Sequence, residues 1–206
     1  MRNRTENQIT LVLIRHGATK SNREHRYLGK TDELLSEEGG KELSAYRKSQ
    51  CYPDVDCVFL SPMERCVQTA EILYPGKPAF PIAEWMEMDF GAFEGRNYME
   101  LQGDRRYQAW IDSNGKLPFP EGESRENFIL RCEKGFRRMQ EKVSQIGETQ
   151  EIAALGLIVH GGTIMALLSR YCGGDYFDYQ TANGKGYICT VKNWNRVPKI
   201  TELRKI

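Results

Sequence analysis

Three short segments carry the residue types that could handle a phosphoryl group. They are LIRHGATKSN (Leu13 to Asn22), SPMER (Ser61 to Arg65) and VHGGT (Val159 to Thr163). Two of the chain's three histidines, His16 and His160, lie in them, with Arg15 and Arg65. A guanidinium fork matches phosphate oxygens bidentately and stays charged at any working pH, so both arginines suit a phosphate clamp. A neutral imidazole with one nitrogen proton held by an acceptor offers its other nitrogen as a lone pair that can attack phosphorus. Glycines beside both histidines let backbone approach a ligand closely. An arginine in the first turn of a helix opposes the helix dipole, and at Arg65 that points to an anion partner.

Each segment ends a predicted strand. Ile9 to Ile14, Val55 to Leu60 and Ala154 to Val159 are short, nearly continuous apolar runs, as expected of strands covered on both faces of a parallel sheet. Helical patterns follow over Ser36 to Ser49, Met63 to Leu73, Ser124 to Ile146 and Thr163 to Tyr171, the first opened by a serine cap. Phe128, Cys132, Phe136, Met139 and Val143 fall at helical spacing and read as a core stripe. Between Pro75 and Glu123 proline, glycine and aromatic residues interleave around one helix near Arg105 to Asp112, read as an insertion over the active site. The turn Gly184-Lys185-Gly186 precedes Tyr187 to Val191 and Ile200 to Leu203, a terminal β-hairpin or edge pair. Together these predict a single domain, 1–206, built as a three-layer α/β/α sandwich with a mostly parallel central sheet. Such sheets bind ligands at the carboxyl ends of their strands, where the three segments would meet.

Composition narrows the class. A chain of 206 residues with 40% hydrophobic and 28% charged residues can bury a core, which excludes disorder and fibre. The formal charge of +1 gives no field for nucleic acid or a membrane surface, so a small-molecule phosphate ester is the expected partner. The six cysteines show no CxxC pair and no zinc spacing, and read as reduced thiols. No apolar run reaches the roughly 18 residues of a membrane span, and Ile9 to Ile14 is too short for a signal core. A cytoplasmic protein is expected, with its oligomeric state open.

Beyond the Arg15-His16-Gly17 triplet, the chain carries Thr19 and Asn22, RYLGKTDELLSEEG (Arg26 to Gly39), SPMERCVQTAEIL, EMDFGAFEG (Glu87 to Gly95), PEGES (Pro120 to Ser124) and IVHGG (Ile158 to Gly162), in that order. In this it resembles the histidine phosphatase superfamily, the phosphoglycerate mutase-like family. The resemblance implies that His16 is the nucleophile of a phosphohistidine intermediate. Arg15, Asn22, Arg65 and His160 would surround the phosphoryl group, with His160 donating in its charged form. Glu87 occupies the acid position of the Glu-x-x-Phe-Gly pattern; Asp89 is a rival and Glu94 a weaker one. No metal or cofactor is implied.

His25, among charged neighbours, reads as solvent-facing, and Cys66, where the family often has alanine, as a packed helix residue. The length and the YLGKTDELL, FGAFEG and PEGES segments look most like the short phosphatase branch of α-ribazole phosphatases in cobalamin synthesis. GGKEL (Gly39 to Leu43) lacks the usual Gln-Ala, and Asp175 to Ile206 carries no assignable motif. A cofactor-dependent phosphoglycerate mutase-type phosphomutase and a non-catalytic phospholigand-binding module stay open beside the phosphatase reading.

Overall fold

A computed structural model describes residues 8–49, 51–148, 151–194 and 196–206. Strands β1 (Ile9–Arg15), β2 (Cys57–Leu60), β3 (Ala79–Pro81), β4 (Ala154–Val159), β5 (Gly186–Lys192) and β6 (Lys199–Lys205) form one sheet in the order β3-β2-β4-β1-β5-β6. The first four in that order run parallel, and β5 and β6 join β1 as an antiparallel hairpin.

The apolar runs explain the layers. Successive side chains of a strand point to opposite faces. In β1, Leu11 and Leu13 face one core and Val12 and Ile14 the other, all four without solvent exposure. Helices α5 (Arg125–Ile146) and α6 (Gly161–Cys172) cover the first face, α5 through the stripe Phe128, Cys132, Phe136, Met139 and Val143. Helices α2 (Glu37–Lys48) and α3 (Glu64–Leu73) cover the second, with Leu43, Cys66, Ala70 and Leu73. Fully burying a side chain such as Phe128 or Leu43 contributes about 1.5–3 kcal/mol. Ser36 and Ser124 cap α2 and α5 by accepting the backbone N–H groups of Gly39 and Asn127.

Besides small shifts at element ends and a 3-10 turn at Tyr176–Tyr179, the structure departs from the sequence expectation in the following places. Strand β2 begins at Cys57 rather than Val55, because the Asp56 carboxylate accepts the N–H groups of Ala153 and Ala154 at 2.7 and 2.8 Å and fastens the strand entry. Thr19 and Asn22 cap each other reciprocally around a one-turn helix, α1 (Lys20–Arg23), which the sequence reading lacks. The segment 75–123 holds α4 (Arg105–Asp112) as expected, but also β3 and two single 3-10 turns, Ala83–Trp85 and Gly91–Phe93. Its Trp85, Phe93 and Leu101 are fully buried in the core on the α5 side, so the middle of this segment is core as well as cover.

Candidate active site

Strand register brings the two histidines together. Arg15 of β1 stands opposite Val159 of β4, so His16 and His160 leave adjacent parallel strands at the same level. Their rings lie edge to face with centroids 5.2 Å apart. His16 is buried, and its Nδ1 donates to the Gly17 carbonyl at 2.7 Å, leaving the Nε2 lone pair unprotonated. Nε2 of His160 lies 2.8 Å from Oγ of Ser61, the residue that follows β2. The Gly17 N–H donates to Thr69 of α3 at 3.0 Å, which ties the loop after β1 to the helix that carries Arg65.

Arg65, far from being a solvated first-turn residue, has no solvent exposure. Its terminal nitrogens donate to the carbonyls of Thr31 and Gly29 at 3.0 and 3.1 Å, and Nη1 of Arg15 donates to Thr181 at 2.9 Å. Each guanidinium is thus anchored on one edge. The Nε groups of both arginines are shielded from solvent and have no hydrogen-bond partner. A buried, unmet donor costs about 1–3 kcal/mol, more for a charged group, and two at one place mark a site shaped for an anion. Burial first, then the positive charge of Arg65, holds both imidazoles well below their ordinary range. Both are therefore neutral before an anion arrives, and the charged His160 expected from the sequence requires the negative charge that a phosphoryl group brings.

Glu87 follows the 3-10 turn Ala83–Trp85, half-buried, with one carboxylate oxygen accepting the Met88 N–H at 2.9 Å. Burial raises its pKa, outweighing the N–H groups of Met88 and Gly162 and the charges of Arg65 and Arg15. A Cβ at Gly162 would stand 2.6 Å from this carboxylate, so glycine is what allows the acid to sit against the start of α6. The rival carboxylates are otherwise engaged. Asp89 pairs with Lys30; burial pushes its pKa up, but Lys30 and the Gly91 N–H prevail and hold it below the ordinary value. Glu94 accepts the N–H groups of Gly29 and Thr31, fixing the loop that anchors Arg65. Arg131 of α5 holds the acid-bearing segment. It donates to the carbonyls of Glu84 and Met86, both at 2.8 Å, to that of Glu87 at 3.3 Å, and to both oxygens of Glu123.

The structure adds a C-terminal contribution. Asn183 donates to the His16 carbonyl and to the Asn22 side-chain oxygen, each at 3.0 Å. With its oxygen so occupied, the Asn22 amide nitrogen remains to donate, as its expected role requires. Neither Asn183 nor Thr181 belongs to a motif legible in the sequence; the signal nearby is the Gly184-Lys185-Gly186 turn, which returns the chain to the sheet. His25 is exposed, and Cys66 is buried with its sulfur 3.8 Å from Nε2 of His160 and its thiol pushed up by burial.

Beside Glu87 and Gly162 opens a cavity of about 180 Å³, lined chiefly by Tyr27, Phe90, Trp110, Phe119 and Phe177. Among the described residues, no group of three or more His, Cys, Asp or Glu is placed to hold a metal ion, and no helix is long and apolar enough to cross a membrane.

Residues 11–197 match the model of the histidine phosphatase superfamily (branch 1). The 2,3-bisphosphoglycerate-dependent phosphoglycerate mutase of Bifidobacterium longum is 27% identical over 191 residues, covering 77% of this chain and 75% of the relative. The adenosylcobalamin/α-ribazole phosphatase of Salmonella typhimurium is 27% identical over 167 residues, 79% of each chain. The crystal structure of the α-ribazole phosphatase from Shigella flexneri shares the fold, with a TM-score of 0.72 and 23% identity over 94% of this chain and 95% of that one.

Proposed function

Because the chain belongs to the histidine phosphatase superfamily (branch 1), we propose that it is a metal-independent phosphomonoesterase that hydrolyses a small phosphorylated metabolite through phospho-His16. The observation that carries this reading is the pair of buried, unpartnered Arg15 and Arg65 Nε donors around a His16 whose Nε2 is free to attack.

The chemistry follows from the groups present. Nε2 of His16 forms a bond to phosphorus as the bond to the leaving oxygen breaks, and that oxygen takes the proton from Glu87. Arg15, Arg65, Asn22 and His160 carry the charge on the phosphoryl oxygens, the main task of protein groups in phosphoryl transfer. Water then attacks phosphorus while the Glu87 carboxylate takes its proton. The N–P bond breaks, phosphate departs, and both residues return to their starting states. The two opposite pKa displacements suit these roles: the lowered one favours the neutral His16 that attacks, and the raised one favours the protonated Glu87 that donates.

The name of the Salmonella relative puts α-ribazole phosphate first among metabolites to test. The name of the Bifidobacterium relative supports a second reading, a phosphomutase. The aromatic cavity favours the phosphatase, since a small hydrated glycerate gains little from apolar walls. The test is phosphate release, with chelator present, from α-ribazole phosphate, phosphoglycerates, sugar phosphates and an aryl phosphate, together with acid-labile labelling of the protein by a radiolabelled ester. The reading expects chelator-resistant turnover and label, both lost in His16→Ala. Primer-dependent interconversion of phosphoglycerates that outpaces hydrolysis would replace it with the mutase, and binding without turnover would replace it with a phospholigand-binding module.

A further inference from the structure

The cavity beside Glu87 has a chemistry that the reaction itself does not use. Its volume of about 180 Å³ is close to that of an apolar cavity known to bind benzene, so it matches one six-membered ring. Apart from Glu87 and the hydroxyls of Tyr27 and Tyr176, which can donate or accept, the polar side chains that line it, Arg125 and Trp110, are donors only. Arg125, the first residue of α5, lines the cavity with its guanidinium carbon 5.6 Å from the ring centroids of both Tyr176 and Phe177. The two rings stand at 86° to each other, so the guanidinium sits in the corner between them, which limits its freedom and leaves N–H groups to bind. Among the described residues no carboxylate lies within ion-pair distance of Arg125, although a cation at a helix N-terminus is electrostatically disfavoured. The Trp110 indole N–H, on another wall, is shielded from solvent and has no acceptor. The Tyr176 hydroxyl bonds the carbonyl of Gly162, which couples the wall carrying Arg125 to the backbone against Glu87.

Position gives these donors their meaning. An ester with phosphorus at His16 and its bridging oxygen at Glu87 has its alcohol portion in this cavity, because Glu87 and Gly162 belong to both places. We propose that the cavity is a leaving-group subsite for phosphomonoesters whose alcohol carries a flat, ring-sized body ending in a carboxylate or similar acidic group, and that Arg125 is the specificity residue that binds this acidic end. The assignment rests on the phosphomonoesterase reading and narrows it to a substrate class. A ring sits among Tyr27, Phe90 and Phe119, and its acidic edge takes the guanidinium fork bidentately.

The test pairs phenyl phosphate with 4-carboxyphenyl phosphate, which differ by the acidic group, in wild type, Arg125→Gln and Arg125→Lys. Wild type is expected to favour the carboxylated ester by about 10- to 100-fold in kcat/KM, the value of one charge-assisted contact. Arg125→Gln brings the ratio close to one, and Arg125→Lys keeps part of it; a purely structural defect would lower both esters together. The wild-type preference is readable even if a variant fails to fold. Tryptophan emission supplies a readout without turnover, since Trp110 lines the cavity. In wild type and in His16→Ala, 4-hydroxybenzoate should change it at lower concentration than phenol, and the difference should vanish in Arg125→Gln. Hydrolysis of both esters without preference, or a preference untouched by Arg125→Gln, overturns the subsite and leaves the phosphatase reading standing. Arg125-dependent binding without hydrolysis of any ester overturns the phosphatase reading and leaves the subsite.

Discussion

At the phosphoryl end of the site, His16 and His160 follow directly from β1 and β4, and Ser61 from β2, so the sheet's hydrogen-bond register places them. At the leaving-group end, Glu87, Phe90, Trp110 and Phe119 come from the segment 75–123, where single turns and side-chain packing replace register. A register is shared by every residue of a strand, so it cannot shift at one position without moving the core. A packed loop can exchange one aromatic for another at small cost. On the proposed reading, the first end therefore holds the transferring phosphoryl group, and the second supplies the leaving-group proton from Glu87 and the choice of substrate.

Two substitutions separate the ends. Glu87→Gln acts on the leaving group, so its effect should scale with how badly that group needs a proton. Alkyl phosphates should lose about 10²- to 10⁴-fold in kcat, and 4-nitrophenyl phosphate, whose phenolate leaves unaided, far less. Arg65→Met acts on the phosphoryl oxygens and should slow every ester alike, by about 10²- to 10³-fold. A steady-state comparison of both variants on the same esters decides. A loss in Glu87→Gln that is equal for all leaving groups would erase the division of labour.

The pH dependence sharpens the same contrast, because the two ends are displaced in opposite directions. Unfolded, His16 and His160 titrate near 6.5; their lowered folded values mean that the unfolded chain binds more protons below that point. Stability held above pH 6.5 is thus lost as pH falls toward the folded values. Glu87 behaves inversely: its raised value contributes stability that is complete below its ordinary 4.5 and lost as pH rises through the folded value. Melting curves across this range should show Glu87→Gln gaining on wild type as pH rises. The alkaline limb of kcat/KM for an alkyl ester should vanish in the same variant. Added phosphate should raise the melting temperature of wild type more than that of Arg65→Met, because it binds the folded chain alone.

What could be read from the sequence follows the same boundary. Alternating apolar runs and helical stripes gave the sheet and the four long helices to within about two residues, because burial on both faces leaves a strong periodic signal. His16, Arg65 and His160 stand out because each lies in a polar segment that directly follows such a run. The short edge strand β3 does not: its three residues AFP include proline and are mostly exposed. Composition and spacing alone do not choose among Glu87, Asp89 and Glu94, since three carboxylates within eight positions differ by what surrounds them; the expectation for Glu87 rests on the family resemblance. Lys30, the Gly29 and Thr31 backbone and Arg131 make that difference, and they arrive from distant parts of the chain.

Asn183 gives the smallest effect and the closest test of the boundary. It lies in the C-terminal stretch without an assignable motif, yet its amide is bound to the phosphoryl end through the His16 carbonyl and the Asn22 side chain. If register alone placed that end, Asn183→Ala would be silent. The hydrogen bonds predict otherwise. Held then only by the longer 3.3 Å bond from the Thr19 N–H, the Asn22 side chain aims less tightly, so KM should rise severalfold for all esters while kcat changes little. Loss of two such bonds should also lower stability by about 1–3 kcal/mol. Asn183→Asp should not rescue, because a carboxylate offers no donor to either oxygen and repels the incoming phosphoryl group. A variant with unchanged KM and unchanged melting temperature would return Asn183 to the status of a loop residue and leave the phosphoryl end to the strands alone.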